Sequence, residues 1–132
     1  MLAKEKKREE EKGSCVFVIA TDAPVDARNL ERMAERTALS LGRVGSYASN
    51  GSGDYALAFS THPKMRIKHG SKMTGAPVVS NAAISPLFEA VIEAGEEAIV
   101  NSLFMAERVV GRDGHTIDPL PVDRVMELMK TR

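Results

Sequence analysis

The fold of this chain is decided where a polar segment gives way to a strand, in the stretch Gly13-Ser14-Cys15-Val16-Phe17-Val18-Ile19-Ala20-Thr21-Asp22-Ala23-Pro24. Its apolar run is rich in β-branched residues, which predicts a strand over Cys15–Ala20. Because the run is unbroken, we expect both faces of the strand to be covered, as in a sheet interior. Pro24 has no N–H to donate and ends the strand.

A serine stands directly before this strand and directly after a glycine. Gly13 is flexible enough for the Ser14 Oγ to reach the carbonyl before it, so the pattern suits self-cleavage of the Gly13–Ser14 bond. Cleavage would make Ser14 an N-terminal residue whose own α-amine, partly unprotonated near neutral pH, takes a proton from its Oγ. The plainer interpretation is that Ser14 only starts a strand, and the local pattern by itself favours that one.

The overall charge and the cysteine content exclude several classes of function. Lys plus Arg and Asp plus Glu number 18 each, so no net charge attracts nucleic acid or an anionic membrane. The single cysteine, Cys15, excludes an internal disulfide and a cysteine-rich zinc site, and its apolar surroundings indicate an inert thiol. His62, His69 and His115 lack metal-site spacing, so we expect no metal and no cofactor. There is no membrane-spanning run and no secretory signal, so we expect a cytoplasmic protein.

Downstream of the first strand, helical and extended segments alternate. Asp26 is the expected N-cap of a helix over Ala27–Leu41, with Gly42 as its stop. The remaining predicted segments are a strand over Tyr55–Ser60, a basic surface loop over Thr61–Ala76, a helical region over Asn81–Val110 that is interrupted near Pro86 and has Gly95 as a candidate division point, a turn over Gly111–Gly114, and a helix over Val122–Lys130.

The loop Asn50-Gly51-Ser52-Gly53-Asp54 precedes the second strand. It has no lysine and does not open a helix, so it is neither a P-loop nor a dinucleotide fingerprint. One interpretation is a tight turn. The other is catalytic: the loop returns to the sheet edge beside the first strand, where Ser52 and Asp54 would orient the Ser14 amine.

Only two strands are predicted, and two strands leave unpaired edges that cannot make an independently stable sheet. We therefore expect the chain either to oligomerise or to complete a domain with another polypeptide.

Several of these segments together resemble the β chain of the DmpA-like peptidases, the L-aminopeptidase/D-esterase and β-peptidyl aminopeptidase family. The resemblance rests on Gly13-Ser14 before its strand, on the loop and strand over residues 50–61, on residues 84–90, and on residues 111–116. It implies an α+β fold, the αββα sandwich of the DmpA and N-terminal-nucleophile type, of which this chain holds the C-terminal part.

The resemblance also implies a function. Members cleave themselves at a Gly–Ser bond, matched here by Gly13 and Ser14, and use the new N-terminal serine as nucleophile. A serine and an acid in the loop assist it, matched by Ser52 and Asp54, although some relatives carry Glu at the acidic position. Substrates are short peptides, amides or esters, without a cofactor, and the substrate-binding residues stay unassigned.

The resemblance divides the chain into residues 1–12, a charged remnant of the α-chain end or a linker, and residues 13–132, the β-chain part of one peptidase domain. We expect the α chain, which supplies the oxyanion-hole asparagine, to be a missing partner, and the αβ units to form a homo-oligomer. The chain alone is then an inactive fragment. Two alternatives stay open: an acyltransferase similar to the ornithine acetyltransferases, and a non-catalytic interaction subunit that lends strands to a partner.

Overall fold

The computed structural model describes residues 13–72 and 75–130, so the predicted charged segment over residues 1–12 lies outside the described residues. Its α-helices and strands are, in chain order, β1 (Val16–Thr21), α1 (Ala27–Glu35), α2 (Thr37–Arg43), β2 (Tyr55–Ser60), α3 (Ser85–Phe104), β3 (Val109–Val110), β4 (Thr116–Ile117) and α4 (Val122–Lys130). Short 3₁₀ helices cover Pro63–Met65, Asn81–Ala83 and Arg112–Gly114. The chain forms two compact units, the first ending at Glu96 and the second starting at Glu97.

In the first unit, β1 and β2 pair in parallel, with Val16 beside Tyr55 and Thr21 beside Ser60. Both predicted strands are thereby confirmed, and β1 starts one residue later than the sequence pattern indicated. Because the strands are parallel, their N-terminal ends lie at one edge of the sheet and their C-terminal ends at the other.

The helices of this unit cover one face of the sheet. Val25, Met33, Ile84 and Val91 form the buried core, and partly buried side chains that include Ile19 pack against it. Side chains of a strand alternate between the two faces of a sheet, so the buried Phe17 lies between the exposed Val16 and Val18.

The prediction that both faces of β1 are covered is wrong for this chain. Val16, Val18, Tyr55, Leu57 and Phe59 are between 42% and 65% exposed, and their register places them on the same face. We call this set the open sheet face. No element among residues 13–72 and 75–96 packs on it, because the helices of this unit all lie on the other side. Exposed apolar patches of this kind are typical of surfaces that contact another protein, a membrane or a ligand.

The expected N-cap at Asp26 is confirmed, since its carboxylate accepts a hydrogen bond from the Asn29 N–H at 2.9 Å. A single helix over Ala27–Leu41 is wrong, because the α-helical ladder is interrupted at Arg36. There the buried Thr37 hydroxyl donates to the Ala34 carbonyl at 2.7 Å, and the Leu39 N–H bonds to the Arg36 carbonyl as in a 3₁₀ turn.

The second of these helices runs one residue past the predicted stop at Gly42 and ends at Arg43. The left-handed backbone that ends it belongs to Gly45, at φ 92°.

The predicted helical region over Asn81–Val110 begins with a 3₁₀ helix over Asn81–Ala83 and continues as α3 from Ser85, so a break does fall near Pro86. Its predicted end at Val110 is wrong, because α3 ends at Phe104 and Val109–Val110 is β3, and Gly95 does not divide α3. Pro86 lies in the first turn, where a backbone N–H has no partner within the helix. Gly95 is buried and faces Ser40 of α2, whose side chain a Cβ on Gly95 would overlap. The fully buried Ser40 hydroxyl donates to the Ile92 carbonyl at 3.0 Å. Gly95 therefore allows α2 and α3 to approach closely.

The second unit contains the end of α3, an antiparallel pair of short strands and α4. The expected turn over Gly111–Gly114 is confirmed and connects β3 to β4, a pair that the sequence pattern did not predict. The predicted helix over Val122–Lys130 is also confirmed. Within the described residues, no helix of either unit is both long enough and apolar enough to cross a membrane.

Candidate active site

The candidate site lies at the edge of the sheet where both parallel strands begin. The Tyr55 N–H donates to the Cys15 carbonyl at 3.0 Å, which fixes the start of the strand pairing. The residues directly before the strands, Ser14 on one side and Gly53 and Asp54 on the other, are therefore neighbours despite a separation of 39 residues along the chain.

Ser14 is exposed, and its Oγ accepts a hydrogen bond from the Gly53 N–H at 3.0 Å. A Cβ on residue 53 would lie 3.0 Å from the same Oγ, closer than a usual carbon–oxygen contact. Gly53 therefore both anchors the hydroxyl and leaves room for it. Sequence reasoning did not single out Gly53. The signal that could have found it is the parallel order of the strands, which brings the residues before them together.

Both oxygens of the Asp54 carboxylate are hydrogen-bonded. Oδ1 accepts from the Cys15 N–H at 2.6 Å, and Oδ2 accepts from the Ser52 hydroxyl at 2.6 Å. Short bonds to a carboxylate are charge-assisted and hold it in a fixed orientation. Since Ser52 gives its only hydrogen to Asp54, its oxygen lone pairs remain to accept from an N–H of an ammonium group.

Burial, and secondly the nearby Asp54 carboxylate, raise the pKa of the Cys15 thiol above its ordinary value. A raised pKa keeps the thiol protonated at neutral pH, and a protonated thiol is a poor nucleophile. The raised pKa therefore gives Cys15 no sign of an activated thiolate. Ser14 is the candidate nucleophile because of its position, since its exposed Oγ is anchored by the Gly53 N–H at the edge where the strands begin.

A cleft of about 670 Å³ borders the loop that carries Ser52 and Asp54. Both of these residues line it, together with Glu31 and Glu35 of α1 and with Tyr47. The sequence pattern did not assign this pair of acidic residues on α1 to any site. Ser14 is not among the lining residues, so the cleft adjoins the supporting residues of the site and not its hydroxyl.

The three residues predicted from the sequence, Ser14, Ser52 and Asp54, are brought together by these contacts. His62 and Lys64 of the basic loop follow the opposite end of β2 from the site, and six residues of strand span about 20 Å. Within residues 13–72 and 75–130, no group of three or more His, Cys, Asp or Glu side chains is arranged to hold a metal ion.

Comparison with known proteins finds that this chain is similar to aminopeptidases. In solved structures, the L-aminopeptidase D-Ala-esterase/amidase from Ochrobactrum anthropi is 27% identical, with a TM-score of 0.75, covering 88% of this chain and 33% of that one. It is described as a prototype of the serine aminopeptidases and a variant of the Ntn hydrolase fold. The PH0078 protein from Pyrococcus horikoshii is 46% identical, with a TM-score of 0.76, over 88% of this chain and 33% of its own. The predicted fold class is thereby confirmed.

Sequence relatives indicate the same family. The β-peptidyl aminopeptidases BapA of Sphingosinicella microcystinivorans and Sphingosinicella xenopeptidilytica are each 39% identical, over 89% and 93% of this chain. A sequence model of peptidase family S58 matches residues 1–117. The chain belongs to peptidase family S58, which confirms the resemblance recognised in its motifs. It spans about 30% of the length of the two BapA relatives.

Proposed function

We propose that this chain is the nucleophile-bearing part of a self-processing serine aminopeptidase. The observation that carries the proposal is the hydrogen-bonded group at the start of β1 and β2. The Ser14 hydroxyl accepts a hydrogen bond from the Gly53 N–H, and the adjacent Asp54 carboxylate accepts hydrogen bonds from Cys15 and Ser52. Membership of a peptidase family supports it, as do relatives named as aminopeptidases.

The first step is self-cleavage. The Ser14 Oγ attacks the Gly13 carbonyl carbon, the Gly13–Ser14 C–N bond breaks, and the acyl group moves from nitrogen to oxygen as an ester. Water then hydrolyses the ester, which releases residue 13 with a carboxylate and Ser14 with a free α-amine. The exposure of Gly13 and Ser14 supports this step, because water must reach the ester.

The free amine then acts as general base for its own hydroxyl. It takes the Oγ proton as Oγ attacks the substrate carbonyl, and gives that proton to the departing amine or alcohol. Water hydrolyses the resulting acyl-enzyme ester, and the Ser14 hydroxyl is restored.

Ser52 and Asp54 orient and polarise this amine. The Ser52 oxygen accepts one N–H of the ammonium form while its own hydrogen stays on Asp54, and the carboxylate charge balances the ammonium charge. The anchoring of both Asp54 oxygens supports this role, because a fixed carboxylate does not have to reorganise during proton transfer.

A partner completes the site. We propose an α polypeptide that packs a second sheet against the open sheet face and supplies the oxyanion donor, with the αβ units assembling into a homo-oligomer. The apolar, exposed character of Val18 and Leu57 supports a second sheet at this position. The substrates are short peptides, amides or esters from which an N-terminal residue is released, in keeping with the names of the relatives. The expected cytoplasmic location stays a prediction.

The test is to co-express the chain with a polypeptide that supplies the remaining two thirds of the family length, and then to record intact masses and aminopeptidase activity. We expect a species that begins at Ser14, and we expect Ser14→Ala to abolish both cleavage and activity. Ser49→Ala, in the same loop but without a side-chain bond to the site, is the matched control and should behave as wild type. Activity from a chain with Gly13–Ser14 intact, or full activity in Ser14→Ala, would refute the proposal.

A further inference from the structure

Three arginines, Arg28, Arg32 and Arg36, follow one another at four-residue spacing along α1 and its end. Residues at this spacing lie on one helix face, where like charges repel each other and destabilise the helix. The Nη1 of Arg36 lies 3.6 Å from the Oε2 of Glu35 and forms an ion pair with it. Among the described residues, no carboxylate lies within ion-pair distance of Arg28 or Arg32. Two adjacent guanidinium groups therefore carry charge that nothing in this part of the chain balances.

These two guanidinium groups converge on one neutral oxygen. The Oδ1 of Asn81 accepts from Arg28 Nη1 at 3.2 Å and from Arg32 Nη1 at 3.0 Å. The Oδ1 of Asn29, a residue only 3% exposed, accepts from the same Arg32 Nη1 at 2.9 Å. The Arg32 guanidinium also lies over the Phe88 ring, 4.8 Å from its centroid. Two amide oxygens and an aromatic face thus hold Arg32 in place.

The Nε–H and Nη2–H groups of Arg28 and Arg32 make no hydrogen bond to the described residues. Every hydrogen bond from Arg28 and Arg32 to the described residues uses Nη1. The Nε–H and Nη2–H groups form the fork that matches two oxygens of a carboxylate or phosphate. A fork that is held in place and faces no anion is preorganised for one, because less side-chain freedom is lost on binding.

We propose that Arg28, Arg32 and Asn81 form an oxyanion site whose ligand is a carboxylate. The site is separate from the candidate active site, because Arg28 follows the C-terminal end of β1 while Ser14 precedes its start, and β1 spans about 20 Å. The carboxylate comes either from a free small molecule or from an Asp or Glu side chain of the polypeptide that completes the domain. In both cases it balances the two charges and fastens α1 to the segment before α3.

The test uses ¹⁵N-labelled chain and the arginine Nε–H signals, with sodium acetate titrated against sodium chloride at constant ionic strength. We expect saturable shifts of the Arg28 and Arg32 signals. Arg124, whose guanidinium already has Glu127 at 3.1 Å, is the internal control and should not shift in this way. Arg28→Gln should weaken acetate binding by about tenfold, since one charged fork is lost. Arg28 is exposed, so Arg28→Gln should leave the chain folded. It therefore tests acetate binding even if Arg32→Gln disturbs folding by removing the bond to Asn29.

The two sources of the carboxylate are distinguished by repeating the titration on the complex with the completing polypeptide. A protein carboxylate in the site shifts the two signals on assembly and abolishes acetate binding, whereas a free ligand leaves the acetate titration unchanged. Shifts that are linear in acetate and equal at Arg28, Arg32 and Arg124 would overturn the proposal. None of these readouts depends on peptidase activity.

Discussion

Asp54→Asn tests the proposed mechanism through the direction of one hydrogen bond. Asparagine has nearly the same shape as aspartate, but only its Oδ1 can accept. That oxygen can keep the bond from the Cys15 N–H, so the new Nδ2 must face Ser52 and donate to its oxygen. The Ser52 hydrogen then turns away from residue 54, and its oxygen no longer offers the same acceptor to the Ser14 amine.

The size of the effect follows from the two bonds of 2.6 Å that Asp54 accepts. A hydrogen bond to a charged group contributes about 1.5–3 kcal/mol to stability and a neutral one about 0.5–1.5 kcal/mol. Each of the two bonds should therefore contribute roughly 1 kcal/mol less in the variant. Because Asp54 is only half-buried, we expect about 1–2 kcal/mol of destabilisation in all. The loss of an oriented proton acceptor should lower kcat further, by roughly 10²–10³-fold.

The assay measures urea unfolding of the chain, and kcat and KM of the complex with its completing polypeptide. Asp118→Asn is the matched control: it makes the same chemical change in a pair with Arg108 that is also 2.6 Å long but mostly exposed. It should alter stability by less than about 1 kcal/mol and leave kcat unchanged. Asp54→Glu, which restores a carboxylate at this position, should recover part of kcat. Wild-type cleavage and turnover in Asp54→Asn would show that Asp54 does not support the amine.

Three further substitutions test packing at the site, between helices and on the sheet. Gly53→Ala keeps the N–H but brings a Cβ to 3.0 Å from the Ser14 Oγ, so it should lower kcat and the rate of self-cleavage about tenfold with KM unchanged; an unchanged rate would show that the contact does not matter. Gly95→Ala should lower the free energy of unfolding by about 1–3 kcal/mol, because overpacking against Ser40 outweighs the gain in helix propensity. Gly42→Ala, where an added Cβ meets nothing within 4 Å, should stabilise slightly in the same urea experiment; equal values for the two variants would refute the packing argument. Leu57→Lys, at a side chain 59% exposed, should leave the chain folded and prevent assembly with its partner on size-exclusion chromatography, whereas Leu39→Lys, 56% exposed on α2, should still assemble; normal assembly of Leu57→Lys would exclude the open sheet face as the contact.

The open sheet face and the greater length of the relatives both fit a chain that forms part of a larger layered domain. The chain spans about 30% of the two BapA proteins, and one side of its sheet is apolar and exposed. Two parallel strands with helices on one side are half of a layered fold. The hydroxyl of Ser14 stands at the edge of this sheet, directly before both strands begin.

Features with a local cause could be predicted from the sequence. The cap at Asp26, the strand Tyr55–Ser60 and the helix Val122–Lys130 depend on near neighbours in the chain, and the structure has all three. The loop containing Ser52 and Asp54 was recognised from its composition and its resemblance to a family, and the family membership is confirmed.

Other features were decided only by tertiary structure, because each depends on residues distant in the chain. Gly95 looked like a helix breaker, yet it is the residue that lets α3 approach Ser40, 55 positions earlier in the numbering. The apolar run at β1 predicted two covered faces, but burial depends on which layers are present, and the described residues of the first unit supply one. Parallel pairing of β1 with β2 brought the Gly53 N–H to the Ser14 hydroxyl, a contact that no pattern within either segment encodes. The sequence by itself therefore determined the two longer strands, the last helix and the candidate residues. The pairing of β1 with β2 decided that Ser14 lies beside Gly53 and that Asp54 lies beside Cys15.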